Sequence, residues 1–149
     1  ADLKLPIVSI SSSGRHFAAL TESGKLLLWG NGSSGQLGNG GKSNSEKPEF
    51  VNAFDNMKIS QVQCASAQSA AITSDGQLYL WGWSGEEPIF TPELVPQFTK
   101  KRVTNISLGA YHVMAMVYNE DQTSTVYTWG NNGKGQLGNG TTENSKIPT

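Results

Sequence analysis

A chain of 149 residues with 11 basic and 12 acidic side chains has a net charge of −1, which offers no electrostatic reason to seek nucleic acid. One cysteine, Cys64, excludes an internal disulfide framework, and no run of about 18 apolar residues suggests a transmembrane helix. The opening residues, Ala1-Asp2-Leu3-Lys4-Leu5-Pro6, do not read as a signal peptide, so an intracellular setting, cytoplasmic or nuclear, is expected with no membrane contact.

In chain order, a short apolar run Ile7-Val8-Ser9-Ile10 opens the first unit and His16-Phe17-Ala18-Ala19-Leu20-Thr21 follows. The polar turn Glu22-Ser23-Gly24 ends in glycine, as a hairpin needing positive φ requires. Leu26-Leu27-Leu28-Trp29 is the third strand, a glycine-rich loop runs through Gly30-Asn31-Gly32 to Gly38-Asn39-Gly40, and Pro48-Glu49-Phe50-Val51 is the fourth strand. The second unit repeats this plan with Ile59-Ser60-Gln61-Val62, then Gln68-Ser69-Ala70-Ala71-Ile72-Thr73, the turn Ser74-Asp75-Gly76, Leu78-Tyr79-Leu80-Trp81, and Thr91-Pro92-Glu93-Leu94-Val95. The third has Val103-Thr104-Asn105-Ile106, His112-Val113-Met114-Ala115-Met116-Val117 and Val126-Tyr127-Thr128-Trp129. His16 and Gln68 precede their Trp by 13 residues and His112 by 17, so the polar stretch Asn119-Glu120-Asp121-Gln122-Thr123-Ser124 is a local loop insertion.

Trp-Gly pairs at 29, 81 and 129 are separated by 52 and 48 residues, the spacing of a repeat architecture. Alternation places Leu26 and Leu28 on one face of a strand and Leu27 and Trp29 on the other. Both faces are apolar in each unit, so both should be covered, unlike a lone hairpin with one wet face. About four strands per repeat of roughly 50 residues is the size of a propeller blade. The expected fold is all-β: a partial β-propeller of about three four-stranded antiparallel blades, in repeats of approximately 6–57, 58–100 and 101–149. The three periodic tryptophans are expected in the core. Propellers close with roughly four to eight blades, and Ile147-Pro148-Thr149 stands where the first unit begins its fourth strand, so the chain reads as a fragment of one larger domain whose remaining blades it would contact.

Trp-Gly-Asn followed by Gly-Gln-Leu-Gly-Asn-Gly occurs twice, with Gln36 and Gln136 in register. Together with the preceding His run and glycine-ended turn, this resembles the regulator of chromosome condensation repeat. The resemblance covers essentially the whole chain and implies a seven-bladed propeller in the complete protein. It also implies known kinds of use: nucleotide exchange on a small Ran-type guanosine triphosphatase, substrate recognition in ubiquitin-ligase assemblies, and chromatin attachment. The related ultraviolet photoreceptors place Trp before the repeat's His, where Arg15 and Tyr111 stand in this chain.

The remaining motifs carry little chemistry. Gly30-Asn31-Gly32-Ser33-Ser34-Gly35 matches G-x-G-x-x-G, but Gln36-Leu37-Gly38-Asn39-Gly40-Gly41 is too glycine-rich to be the helix a dinucleotide needs. No cofactor, metal or catalytic residue is expected. His16 and His112 occupy equivalent places with Gln68 between them; either they bond neighbouring backbone or they border a face that meets a partner. Lys100-Lys101-Arg102 reads as a solvated loop, Cys64 as a small core residue, and the sequons at Asn31, Asn105 and Asn139 as chance occurrences.

Trp83 stands apart. Asn31 and Asn131 hold its place in the other units, and its own unit replaces the long glycine-rich loop by Ser84-Gly85-Glu86-Glu87-Pro88-Ile89-Phe90. An unrepeated Trp beside Glu86, Glu87, Ile89 and Phe90 is a candidate interface anchor or a filler of the space the short loop leaves. The expected function is a non-enzymatic propeller that recruits a protein partner or substrate, as in a ubiquitin ligase or other adaptor. The alternatives are guanine-nucleotide exchange on a small Ran-type guanosine triphosphatase and a chromatin-associated binding module; no protruding β-wedge of the exchange-factor kind is visible.

Overall fold

Aliphatic and aromatic runs separated by glycine-ended turns pair as antiparallel strands because each strand can cover its neighbour's apolar side chains. The structure, a computed structural model, describes residues 4–149, so half of the amino-terminal stretch judged against a signal peptide lies outside the described residues. The first sheet is β1 (Ile7–Ser12), β2 (His16–Thr21), β3 (Leu26–Gly30) and β4 (Ser45–Phe50), in that spatial order. The second repeats it with β5 (Ile59–Ala65), β6 (Gln68–Thr73), β7 (Leu78–Gly82) and β8 (Ile89–Leu94). The third has β9 (Arg102–Leu108), β10 (His112–Tyr118) and β11 (Ser124–Gly130). Its fourth strand is reduced to one bridge, Gly130 to Ser145, and backbone bonds between Thr128 and Thr149. These are the expected propeller blades, with three strands in the last. No helix among the described residues is long and apolar enough to cross a membrane.

The sheets stand face against face. Leu26 and Leu28 point from the first sheet into the second, where they meet Ala71, Cys64 and Trp81. Leu78 leads the same face of the second sheet into a cluster with Val113, Val117 and Trp129 of the third. Alternation along the strands explains why both faces of the second sheet are apolar: one receives each neighbour. Two one-turn 3-10 helices, Asn52–Phe54 and Pro96–Phe98, escaped the reading of the sequence because three residues carry no periodicity. Each wedges a Phe between sheets: Phe54 lies edge-on to Trp81 at 5.7 Å, and Phe98 is 5.9 Å from Trp129. The hairpin tips complete the stitching, since Gly24 O accepts from Ile59 N at 2.9 Å and Gly76 O from Val103 N at 2.9 Å.

The tryptophans are not equivalent in burial. Trp81 is 2% exposed and Trp129 8%, as a core position requires. Trp29 is only half-buried and stacks on the exposed Phe17 at 5.7 Å. The expectation of three core tryptophans is therefore corrected to two. Trp29 lies on the outer face of the first sheet, which no described sheet covers and where Val8 and Ile10 are also exposed. The far face of the third sheet likewise exposes Met114 and Val126.

Cys64 is buried, and burial pushes its thiol up to about 12, so it stays protonated and unreactive in the core. In the basic run, the Lys101 ammonium donates to the Tyr127 hydroxyl at 3.0 Å and lies over its ring.

Candidate functional site

The glycine-rich loops shape themselves. In residues 31–44, Asn31 Oδ1 accepts from Ser33 N and from Gln36 Nε2, while Ser34 N donates to Gln36 Oε1 at 2.8 Å. Residues 131–144 repeat this: Asn131 Oδ1 accepts from Gly133 N and Gln136 Nε2, and Lys134 N donates to Gln136 Oε1 at 2.8 Å. The Asn-to-Gln spacing thus folds the loop locally, with or without a neighbouring sheet.

The first loop then closes the groove between the first two sheets. Gln36 O accepts from the Trp81 indole Nε1 at 2.9 Å and from Ser69 Oγ at 2.7 Å. Gly40 N donates to Phe90 O at 2.9 Å, and Leu37 enters the apolar cluster with Trp81. The fit leaves no room for larger residues: a β-carbon on Gly38, which has φ +67°, would lie 2.9 Å from Trp81 Nε1. In the third loop, added β-carbons on Gly135 and Gly138 would meet nothing within 4 Å, because no described sheet lies beneath them.

The second unit has no such loop. Only residues 83–88 separate Gly82 from Ile89, where residues 31–44 separate Gly30 from Ser45. The equivalent groove between the second and third sheets is left as a cleft of about 450 Å³. Its walls include Trp83, Glu86, Leu80, Tyr111, Trp129 and the 144–146 segment. Leu80 is only half-buried, whereas its counterpart Leu28, which shares a buried cluster with Leu37, is 1% exposed. The Trp83 indole Nε1 donates to Glu86 O at 2.7 Å, and its ring meets Tyr111 edge-on at 5.6 Å. Trp83 therefore forms a wall of the cleft and does not fill it. At the rim, Lys146 pairs with Glu86 at 3.5 Å between two exposed side chains, a contact worth little to stability.

The structure divides the residues singled out from the sequence. Trp83 and Glu86 line the cleft, with Ile89 at its edge, and Glu87 is exposed beside it. Phe90 instead serves the first groove, where its carbonyl receives Gly40 and its ring lies under Lys42. Tyr111, Trp129 and the 144–146 segment were missed. The signal was present, since a shortened loop in unit two must uncover whatever stands at the Trp position of unit three.

His16, Gln68 and His112 begin the second strand of each sheet. His16 is fully buried, with Nε2 2.8 Å from Ser69 Oγ and Nδ1 2.8 Å from Ser13 Oγ. Because Ser69 Oγ donates to Gln36 O, it must accept from His16 Nε2–H, and Nδ1 accepts from Ser13. The ring is an internal staple between two sheets and offers no atom to a partner. Gln68 does the same work toward the third sheet, donating to Gly109 O and Ala110 O at 3.0 Å each. His112 is half-buried and packs on Gly109, where a β-carbon would lie 2.1 Å from its ring.

Burial lowers the His16 pKa from 6.5 to about 4, so the folded protein keeps the neutral ring while the unfolded chain takes up a proton. This contribution is complete above pH 6.5 and is lost as pH falls toward 4. It amounts to roughly 3 kcal/mol at about 1.36 kcal/mol per unit. Urea midpoints at pH 7.5 and 4.5 should therefore differ less in His16→Gln, which uses the second unit's own residue, than in the wild type.

The family model of the regulator of chromosome condensation (RCC1) repeat matches residues 23–72 and 124–149, and a second model of this repeat matches residues 7–36 and 103–136. Over 149 residues the chain is 33% identical to the E3 ubiquitin-protein ligase HERC2 of Homo sapiens, covering 95% of this chain and 3% of that protein. It superposes on human WBSCR16 with a TM-score of 0.82 at 24% identity, over 97% of this chain and 39% of that one, a likeness of fold alone. It superposes on Prp20p of Saccharomyces cerevisiae with a TM-score of 0.73 at 25% identity, over 91% of this chain and 34% of that one. The chain thus spans well under half of each of these proteins. With blades, loops and spacing all of one kind, the chain belongs to the regulator of chromosome condensation repeat family.

Proposed function

We propose that this segment is a non-enzymatic binding module that seats a protein partner in the cleft between the second and third sheets. The observation that carries this reading is the missing loop: of two equivalent grooves, one is sealed by residues 31–44 and the other is open and lined by aromatic side chains. Aromatic residues dominate the energetic centres of protein interfaces. The uncovered outer faces of the first and third sheets are, in this reading, seats for further blades of a closed seven-bladed ring. The likeness to HERC2 supports a recruiting role inside a ubiquitin-ligase or comparable adaptor assembly.

The test is quantitative capture of partners by the full-length protein and by Trp83→Ala with Tyr111→Ala. Partners held at the cleft should bind at least tenfold more weakly to the double variant, while Phe90→Ala, beneath the first loop, should leave binding unchanged. An unaltered partner list with unaltered affinities sinks the proposal. Nucleotide exchange is the second reading, favoured by the likeness to Prp20p, which was described together with its binding properties to Gsp1p and histones. Accelerated release of labelled nucleotide from a small guanosine triphosphatase would support it.

A further inference from the structure

The chain contains its own example of what fits such a groove. We propose that the open cleft takes a glycine-flanked turn with one aliphatic side chain, presented by a protein partner and seated as Gly35-Gln36-Leu37-Gly38 is seated one blade earlier. This rests on the cleft being the partner's site and specifies the partner's chemistry.

The two grooves correspond residue by residue. Ser69 pairs with Trp81 in the second sheet and Val113 with Trp129 in the third. Gly82 pairs with Ile89 in the second sheet, and Gly130 with Ser145 in the third. Lys146 thereby takes the place of Phe90, whose carbonyl receives Gly40 N in the sealed groove. An occupant should place a carbonyl on the Trp129 indole, an N–H on the Lys146 carbonyl and an aliphatic side chain over Leu80. With Val113 in place of Ser69, the occupant's carbonyl has one side-chain donor where Gln36 O has two. Glycine is required on both sides of the anchor, because in the sealed groove even a β-carbon added to Gly35 or Gly38 would approach the next blade to 2.6 or 2.9 Å. A neutral turn suits the rim, where Glu86 and Lys146 pair with each other. A space of about 450 Å³ lies within the roughly 300–1,000 Å³ range of ligand pockets.

The experiment has two arms, both on the full-length protein. In the first, a cyclic peptide carrying residues 33–40 is titrated while the indole N–H signals are followed by nuclear magnetic resonance; cyclisation limits the ordering cost. The Trp129 and Trp83 signals should move and that of Trp81 should not, and an alanine in place of the peptide's leucine should weaken binding at least tenfold. In the second, residues 31–44 replace residues 83–88. The graft should raise the melting temperature and exclude the peptide. Unmoved Trp129 and Trp83 signals at millimolar peptide, with a graft that neither stabilises nor competes, overturn the proposal. If partner capture still depends on Trp83 and Tyr111, the binding site stands and only the plug chemistry fails. If the peptide binds but capture ignores Trp83 and Tyr111, the partner reading fails instead. Concentration-dependent self-association abolished by the graft would overturn an external partner in favour of a second copy, whose residues 131–144 carry the same turn.

Discussion

Trp81→Ala should lower the unfolding free energy of the chain by about 3–5 kcal/mol, the usual loss for removing a buried tryptophan. Its ring fills the first inter-sheet cluster, meets Phe54 edge-on and anchors the glycine-rich loop through Gln36 O. Truncation therefore leaves a cavity and unties the loop as well. Trp29→Ala, on the uncovered face, should cost less, about 1–2 kcal/mol, because much of its ring already meets water. Urea unfolding of the 149-residue chain followed by circular dichroism gives both values. Equal losses at the two positions would contradict the arrangement of sheets described above.

Gly82→Ala should be of similar size, about 3–5 kcal/mol, for a different reason. Each of the three periodic tryptophans, Trp29, Trp81 and Trp129, is followed by a glycine in the left-handed region, with φ of +103°, +91° and +108° at Gly30, Gly82 and Gly130. There the chain must pass close to the backbone entering the second strand, and a β-carbon on Gly82 would lie 2.1 Å from Ala67 O. Ala67 O also accepts from Trp83 N at 2.8 Å, so displacing it loosens the wall of the cleft. Gly135→Ala provides the contrast: φ is +73° but nothing lies within 4 Å, and only the conformational penalty of about 1–2 kcal/mol applies. Thermal unfolding of the two variants measures the difference, and a Gly82 variant no worse than the Gly135 variant would refute the close approach.

Much of this was legible from local pattern. Alternation in Leu26-Leu27-Leu28-Trp29 foretold two apolar faces, and the recurrence of Trp-Gly foretold the blade. The third hairpin, read as an insertion, is a polar loop in which Asp121 accepts from the Thr123 hydroxyl at 2.6 Å and from Thr123 N at 3.0 Å, and these hydrogen bonds hold its carboxyl below the usual range. His16 was harder. Its position was clear, but whether the ring served a surface or an interior depended on Ser69, 53 residues away. Trp29 misled for the same reason: periodicity marks which residues are built alike, while burial depends on what stands opposite.

The glycine-rich loop separates the two kinds of information. Its shape follows from the sequence alone, because Asn31 and Gln36 bond across five residues and Asn131 and Gln136 do likewise with no described sheet beneath them. Its consequence does not. Only the stacking of sheets brings Gln36 O to the Trp81 indole, and only that stacking turns the short loop at Trp83 into an open space before Trp129. Hydrogen bonds between near neighbours are written in residue spacing, whereas a cavity is set by which distant surfaces meet and by what is missing between them.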